Sequence, residues 1–530
     1  MTVTPTPAKR AVNLAELLTQ TARRLPDEPA VIHGGTRWTW RDLDRRTDAL
    51  AAALRERGVR PGDCVMLHSP NHPEFVQAMF AVWRAGAVLA PTNSRLTPGD
   101  VATIAGVCRP VALICHSAAT EHAEAVRSAA GLAGGTLWTE ASGPDSVAGL
   151  ADPDAPLGNA RVGETDHAWY FFTSGTSGTP KAAILTHHQM GFVVTNHIAD
   201  LMPGLSEQDV SLAVAPLSHG AGIHLVPQVA RGAATVLTTS GRMDGDEVWA
   251  LVERERVTNM FTVPTILKLL AEHPAVDRFD HSCLRHVIYA GAPMYAADQE
   301  YARKALGDVL VQYYGLGEVT GNITVLAPHE HGLPRPDGIE FGTCGRPRTG
   351  MQIAVIDSEG HEVPPGEKGE ICVSGPAVCA GYLGNAEATA DAFADGWFHT
   401  GDLGMVDERG YLYITGRASD MYISGGSNVH PRDIEEKLLT HPGVAEAAVL
   451  GMPHPTWGEV GVAVWVAAAD AADITGDDLR AWLEPRLARY KLPRDYVRWG
   501  ELPKSGYGKI VKRTIRAQLL AEGWRTPTDS

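Results

Sequence analysis

Nine residues constrain this chain more than any others: Thr173-Ser-Gly-Thr-Ser-Gly-Thr-Pro-Lys181. They follow Ala168-Trp-Tyr-Phe-Phe172, an apolar run with the length and aromatic content of a buried strand. Gly175 and Gly178 let the backbone approach an anion, because glycine lacks a Cβ and accepts positive φ. Hydroxyls at Thr173, Ser174, Thr176, Ser177 and Thr179 and the ammonium of Lys181 complete a set of phosphate ligands. The ordinary P-loop pattern fails, since Pro180 precedes the lysine where glycine is required and Ala182 follows it. A Ser/Gly linker would not sit directly behind an aromatic strand or end in Pro-Lys before another apolar run. The expectation is a nucleotide-phosphate loop that does not work in the P-loop manner.

With 530 residues the chain has ample length for two to four domains. A formal net charge of −16 argues against a nucleic-acid surface, though an anionic small ligand needs only a local positive site. Residues 1–10 carry no apolar core of signal-peptide length, and no stretch approaches 18 consecutive apolar residues. Cysteines at 64, 108, 115, 283, 344, 372 and 379 are scattered without C-x-x-C pairing. The expectation is a reduced, cytoplasmic protein without a membrane span, a nucleic-acid partner or a structural metal.

Along the chain, short β-branched strands alternate with helices of ordinary length. Helices are expected over 13–25, from an N-cap at Thr39 to Gly58, over 73–85 and from Thr186. Strands are expected near 65–68, 111–115, 235–239, 260–263, 286–290 and 309–314. Residues 118–163 carry little pattern and read as surface loop. His187 and His188, adjacent on a helix, do not face each other and make a poor metal pair. The segments ending in His219-Gly220, Gly291-Ala-Pro293 and Gly315-Leu-Gly-Glu318 place glycine where polar residues begin, as at the carboxyl edge of α/β sheets. Beyond about residue 340, strands near 352–357, 369–374 and 411–415 suggest a small β subdomain. A compact βαβ-like unit is expected from Pro431 onward, ending in the turn-rich 502–510 segment that carries Lys509.

The order of these motifs resembles the AMP-forming acyl-CoA synthetases, which belong with luciferases and nonribosomal-peptide adenylation domains. Thr173–Lys181, Tyr314–Glu318, His399-Thr-Gly-Asp402, Gly416-Arg417 and Gly506-Tyr-Gly-Lys509 carry the resemblance along nearly the whole chain. It implies an α/β fold: a large N-terminal domain of mixed α/β subdomains plus a β subdomain (1–416), a hinge (417–419) and a small mobile α+β C-terminal domain (420–530). It implies an ATP-dependent acid–thiol ligase. A carboxylate attacks the α-phosphorus of ATP, pyrophosphate leaves, and coenzyme A then displaces AMP. By the same resemblance Thr173, Ser174, Gly175, Thr176, Ser177, Gly178 and Lys181 hold the β- and γ-phosphates, and Glu318 holds Mg²⁺. Tyr314 and Gly315 would face adenine beside Gly291, Ala292 and Pro293. Asp402 would accept from the ribose hydroxyls, with Arg417 near ribose and phosphate. Lys509 would bridge carboxylate and α-phosphate, and His219 would gate the acyl site. Gly425 and Gly426 would border a pantetheine tunnel, with Trp457 and Tyr490 as candidate aromatic walls for coenzyme A. A small-molecule carboxylic acid is the expected partner, with a carrier protein as another acceptor; monomer and homodimer both stay open.

Two departures and one local feature bear on the reading. Relatives usually carry Thr where Gly317 stands, so a hydroxyl for the α-phosphate is missing; either Thr320 or a backbone N–H replaces it, or this site is tuned differently. Ser419 stands where relatives often carry Asp or Lys at the hinge. Gly220, Ala221 and Gly222 beside His219 suggest room for an aryl or branched acyl group as much as for a chain. An adenylating enzyme with another acceptor (carrier protein, amine, or nitrite activated to diazotise an aryl amine) remains the alternative. A catalytically dead nucleotide sensor is disfavoured because Lys181, Glu318, Asp402, Arg417 and Lys509 are all present.

Overall fold

In the computed structural model, residues 9–132, 135–152, 156–173, 180–292, 294–334, 342–469, 471, 473–504 and 510–524 are described. Two large sheets dominate the N-terminal domain. One has six strands, in the order 181–186, 167–173, 88–92, 64–68, 112–116, 136–139. Only the 167–173/181–186 pair is antiparallel; the other neighbours run parallel. The second has nine strands around a parallel core of 29–33, 234–237, 210–213, 259–262, 286–289 and 310–314.

The helix Pro73–Arg84 touches strands of both sheets and is buried at all twelve positions, with Pro73 at its start and His72 Nδ1 accepting from the Glu74 N–H. Proline is favoured there because that N–H has no helical partner. Apolar side chains on every face, including Phe75, Phe80 and Trp83, suit a helix packed on all sides. Thr39 caps Trp40–Glu56 through a reciprocal box with Asp42, as the sequence predicts.

Residues 118–163 differ from expectation. A helix, Thr120–Ala130, and a strand, Thr136–Thr139, extend the six-stranded sheet. The helix buries only Ala123 and Val126, so its inward face is too small to register as hydrophobic periodicity.

A five-stranded β subdomain follows, and its longest strand, Trp397–Val406, contains the His-Thr-Gly-Asp motif that the sequence reading left outside any strand. The C-terminal unit also departs from a simple βαβ order. Val444–His454 and Gly458–Ala467 form an antiparallel hairpin, and the βαβ connection begins only afterward, through helix Gly476–Leu483 to the parallel strand Asp495–Arg498. Among the described residues, no helix is long and apolar enough to cross a membrane. All seven cysteines are free thiols.

Candidate active site

The carboxyl ends of the two sheets meet at Glu318. Thr173 ends its strand in register with Lys181, so the two anchors of the phosphate-loop motif face each other. Glu318 lies in a single turn, Gly317–Val319, just beyond strand Leu310–Tyr314. The Thr173 hydroxyl donates to Glu318 Oε1 at 3.0 Å, and the Tyr382 hydroxyl donates to the same oxygen at 3.0 Å. Lys181 Nζ stands 5.1 Å from the centre of the Tyr382 ring. Tyr382 thus joins carboxylate and ammonium, and sequence reasoning missed it; a lone Gly-Tyr behind a loop carries no motif of its own. Burial and the Glu318 charge push the Tyr382 phenol upward, so it stays a donor at neutral pH.

Gly317 has a steric reason. A Cβ there would fall 2.4 Å from Phe171 Cδ1 and 3.0 Å from Thr173 Cγ2. The aromatic strand occupies the space that a threonine side chain would need. Thr320 is no substitute donor: its φ is +52°, it is 1% exposed, and its hydroxyl donates to the Val319 carbonyl at 2.6 Å.

Tyr314, Asp402 and Arg417 form a second group. The Tyr314 hydroxyl donates to Asp402 Oδ2 at 2.6 Å, and Arg417 Nε donates to Asp402 Oδ1 at 2.8 Å. Asp402 is presented by a bulge. Opposite Ile371, residues 400–402 interrupt the register between Cys372/His399 and Glu370/Leu403, and Gly401 takes φ +69°. Glu370 brackets that bulge, with Oε1 accepting from the Gly401 N–H at 3.0 Å and Oε2 lying 3.0 Å from His399 Nδ1. The Thr400 hydroxyl ties back to the Ile371 carbonyl at 2.6 Å and accepts from the Asp402 N–H at 3.1 Å. Glu370, Cys372 and His399 offer donor atoms within 4.8 Å of one another, but Glu370 and His399 already engage each other and the bulge. Their arrangement serves to fix Asp402.

His219 ends the loop before helix Gly220–Arg231, its ring centre 4.7 Å from that of Phe171. The small residues beside it do not open space as expected. A Cβ on Gly220 would fall 2.8 Å from Phe261 Cζ, and one on Gly222 would fall 1.9 Å from the Leu217 carbonyl oxygen. These glycines admit neighbouring groups, and the side chains around them are aromatic: Phe171, Phe261 and Tyr313, the last two with ring centres 6.0 Å apart. Gly291 follows strand His286–Tyr289 at φ +87°, and the nearest atom to a Cβ there is Val263 Cγ1 at 3.9 Å, so its side of the cleft is open; Ala292 follows it.

Gly425, Gly426 and Trp457 form a separate cluster in the C-terminal domain. The Gly425 N–H donates to the Trp457 carbonyl at 3.0 Å, both glycines have positive φ, and Trp457 is 39% exposed with the Arg494 guanidinium 5.6 Å from its ring. Tyr490 is exposed as well. Ser174, Gly175, Thr176, Ser177, Gly178, Pro293 and Lys509 lie outside the described residues.

Two sheet edges, a carboxylate with two hydroxyl donors and a carboxylate on a bulge define a nucleotide-handling α/β enzyme. Residues 18–383 match the AMP-binding enzyme family and residues 433–509 the AMP-binding enzyme C-terminal domain. A feruloyl-CoA synthase from Amycolatopsis is 40% identical over 94% of this chain and 97% of its own length. The structure of an amide bond synthetase from Marinactinospora thermotolerans superposes with a TM-score of 0.86 at 30% identity, covering 96% and 99% of the two chains. An anthranilate CoA ligase bound to anthranoyl-AMP superposes at 0.87 with 25% identity, covering 97% and 98%. The chain therefore belongs to the AMP-binding, adenylate-forming enzyme family. It is a ligase of the acyl-CoA synthetase type, with ATP, a carboxylic acid and coenzyme A as its substrates.

Proposed function

We propose that the acid is aromatic and that the two nucleotide-site clusters divide the adenylation step between them. The observation that carries this reading is the junction at Gly317. There the Phe171 ring lies against Gly317, the neighbour of Glu318, and against the His219 ring, which puts an aromatic side chain next to the proposed phosphate site. Relatives that act on feruloyl and anthranoyl groups support an aromatic acid for this chain too.

In the first step a carboxylate oxygen attacks the α-phosphorus, a C–O–P linkage forms, and the α–β bridging bond breaks to release pyrophosphate. Lys181 and the hydroxyls of the Thr173 loop hold the departing phosphates. Asp402 accepts from the ribose hydroxyls, kept in place by Tyr314 and Glu370, with Arg417 alongside. Lys509, by its motif, bridges the two anions. Glu318 suits Mg²⁺, a hard cation that takes oxygen ligands; both recorded hydroxyls reach Oε1, and the ion would neutralise charge developing at phosphorus. In the second step the thiol sulfur of coenzyme A attacks the acyl carbon and AMP leaves.

A hinge at 417–419 would let the C-terminal domain present first the Lys509 segment and then the Gly425–Gly426 turn. Ser419, with its hydroxyl 3.4 Å from Asp420 Oδ1, leaves this joint without a strong anchor. Pyrophosphate release across aromatic, short-chain and long-chain acids, with and without coenzyme A, tests the proposal. Activity with aliphatic acids alone would remove the aromatic assignment.

A second reading, an amine acceptor, is favoured by the likeness to the amide bond synthetase. Amide product from acid, ATP and amine without coenzyme A would establish it.

A further inference from the structure

We infer that Glu370, Cys372 and His399 form a zinc-binding site, and that zinc bound there weakens the grip on ATP. The effect on ATP rests on the ribose role proposed above for Asp402; the site itself does not.

The β subdomain puts the three side chains on one face. Cys372 and His399 stand directly opposite each other in the antiparallel pair of strands Gly369–Ser374 and Trp397–Val406, so their side chains project to the same side. Glu370, two residues before Cys372, shares that side, while Ile371 between them is buried in the main core. Ala354, which pairs with Cys372 across its other edge, joins Cys372, Ile356 and Trp397 in a small apolar cluster. Glu370 and His399 keep 32% and 27% of their side chains exposed, so an ion can enter from solvent.

Distances decide what this group can hold. Cys372 Sγ lies 3.4 Å from His399 Nδ1, and that nitrogen lies 3.0 Å from Glu370 Oε2. One donor atom from each residue lies within 4.8 Å of the others. Around tetrahedral zinc, with bonds of about 2.0–2.3 Å, neighbouring donors stand about 3.3–3.7 Å apart. The sulfur–nitrogen spacing already falls inside that range. The nitrogen–oxygen spacing falls just below it, so binding asks chiefly that Glu370 move outward. Magnesium is a poor occupant, because it takes oxygen ligands and keeps several of its waters. Thiolate, imidazole and carboxylate together suit zinc, and three protein ligands leave a fourth position for water. On binding, an S–Zn bond replaces the thiol S–H and the proton goes to solvent; the imidazole stays neutral with its proton on Nε2.

Glu370 links this site to the nucleotide. Its other oxygen, Oε1, accepts from the Gly401 N–H at 3.0 Å within the bulge that presents Asp402. A carboxylate drawn toward the metal weakens that bond, and Asp402, one residue further on, loses part of its positioning. Zinc should therefore imitate Glu370→Ala.

Co²⁺ reports such a site, because a thiolate–cobalt bond gives a near-ultraviolet charge-transfer band and a tetrahedral centre gives strong visible bands. One equivalent added to the full chain without nucleotide should produce both, and Zn²⁺ should erase them. Cys372→Ala should lose the charge-transfer band, and His399→Ala should weaken binding at least about tenfold, since even the partners of metal ligands are worth that much. Cys283→Ser, at the one cysteine that is not buried, should leave the spectrum unchanged. In turnover at fixed excess Mg²⁺, Zn²⁺ should raise the KM for ATP about three- to tenfold, the worth of the Gly401 hydrogen bond, and should not do so in Cys372→Ala. No charge-transfer band, or one that survives Cys372→Ala, would overturn the site. A band with an unchanged KM for ATP would overturn the effect on ATP. Asp402→Ala with an unchanged KM for ATP would instead remove the ribose reading on which that effect rests, and the spectra would still decide the site.

Discussion

The two sides of the site are built from opposite materials. On the nucleotide side, charge is met by charge or by a committed donor: Glu318 by Thr173 and Tyr382, Asp402 by Tyr314 and Arg417. Behind the His219 loop, the side proposed to face the acid, rings pack on rings and the polar groups are a neutral imidazole and amides, His224, Gln228 and Asn259. Activation of any carboxylate needs the same phosphates, ribose and metal gripped in the same way, and charge-assisted bonds do this with short side chains at fixed positions. Choice among acids needs shape and one well-placed donor, which many packings can supply. The first side is therefore encoded in motifs and the second in tertiary contacts.

Breaking the charged side should have the largest effect. Glu318→Ala is expected to cut acid-dependent pyrophosphate release by about 10²–10³-fold, as for loss of one preorganised charge stabiliser. It should do so equally for every acid, and a substrate-dependent loss would contradict the division. Gly317→Thr tests the junction. Its side chain would press on Phe171 and Thr173, and overpacking of this kind costs about 1–3 kcal/mol. Activity should fall and recover in part with Phe171→Leu. If the threonine alone raised the adenylation rate, the missing hydroxyl would matter more than the ring that excludes it. Smaller still is Glu370→Ala, which frees the bulge rather than the carboxylate. The KM for ATP should rise about three- to tenfold, the worth of one hydrogen bond, while Glu370→Gln restores the Gly401 contact. With the bulge serving the ribose as proposed, 2′-deoxy-ATP should show less of this rise.

Legibility followed the same line. Thr173, Lys181, Tyr314, Glu318, Asp402 and Arg417 stand in short contiguous motifs, and the structure brings these into two adjacent clusters. Tyr382 and Glu370 could not be read, because each acts through a partner, 64 and 31 residues away, that no local pattern links to it. Parallel strands near 65–68, 111–115, 235–239, 260–263, 286–290 and 309–314 were visible as apolar runs, whereas Pro29–His33 and Val88–Thr92 were not. Thr120–Ala130 was not, since only Ala123 and Val126 of that helix are buried in the core. Gly220 and Gly222 misled for a related reason: a glycine in the sequence shows an absent side chain, and only packing shows which neighbour has moved into its place.

A last effect concerns acid and acts on stability rather than on catalysis. Burial draws His68, His187, His224 and His286 down to about 4. In the unfolded chain each would titrate near its ordinary value of about 6.5. Their folded pKa values are depressed, and the bound proton is the unfavourable state, so the stabilising effect of staying neutral is whole above pH 6.5. It is lost as pH falls from 6.5 toward 4, because the unfolded chain takes up protons that the folded chain refuses. At 1.36 kcal/mol per pH unit per proton, falling from pH 6.5 to 5 removes on the order of 1–2 kcal/mol for each well-buried ring. His68, His187 and His224 are all under 4% exposed, while the half-buried His286 contributes less. Urea midpoints should therefore be level between pH 8 and 7.5 as far as these groups act, then drop by pH 5.5, and His224→Leu should flatten that drop. A drop that His224→Leu left unchanged would mean that other groups carry it.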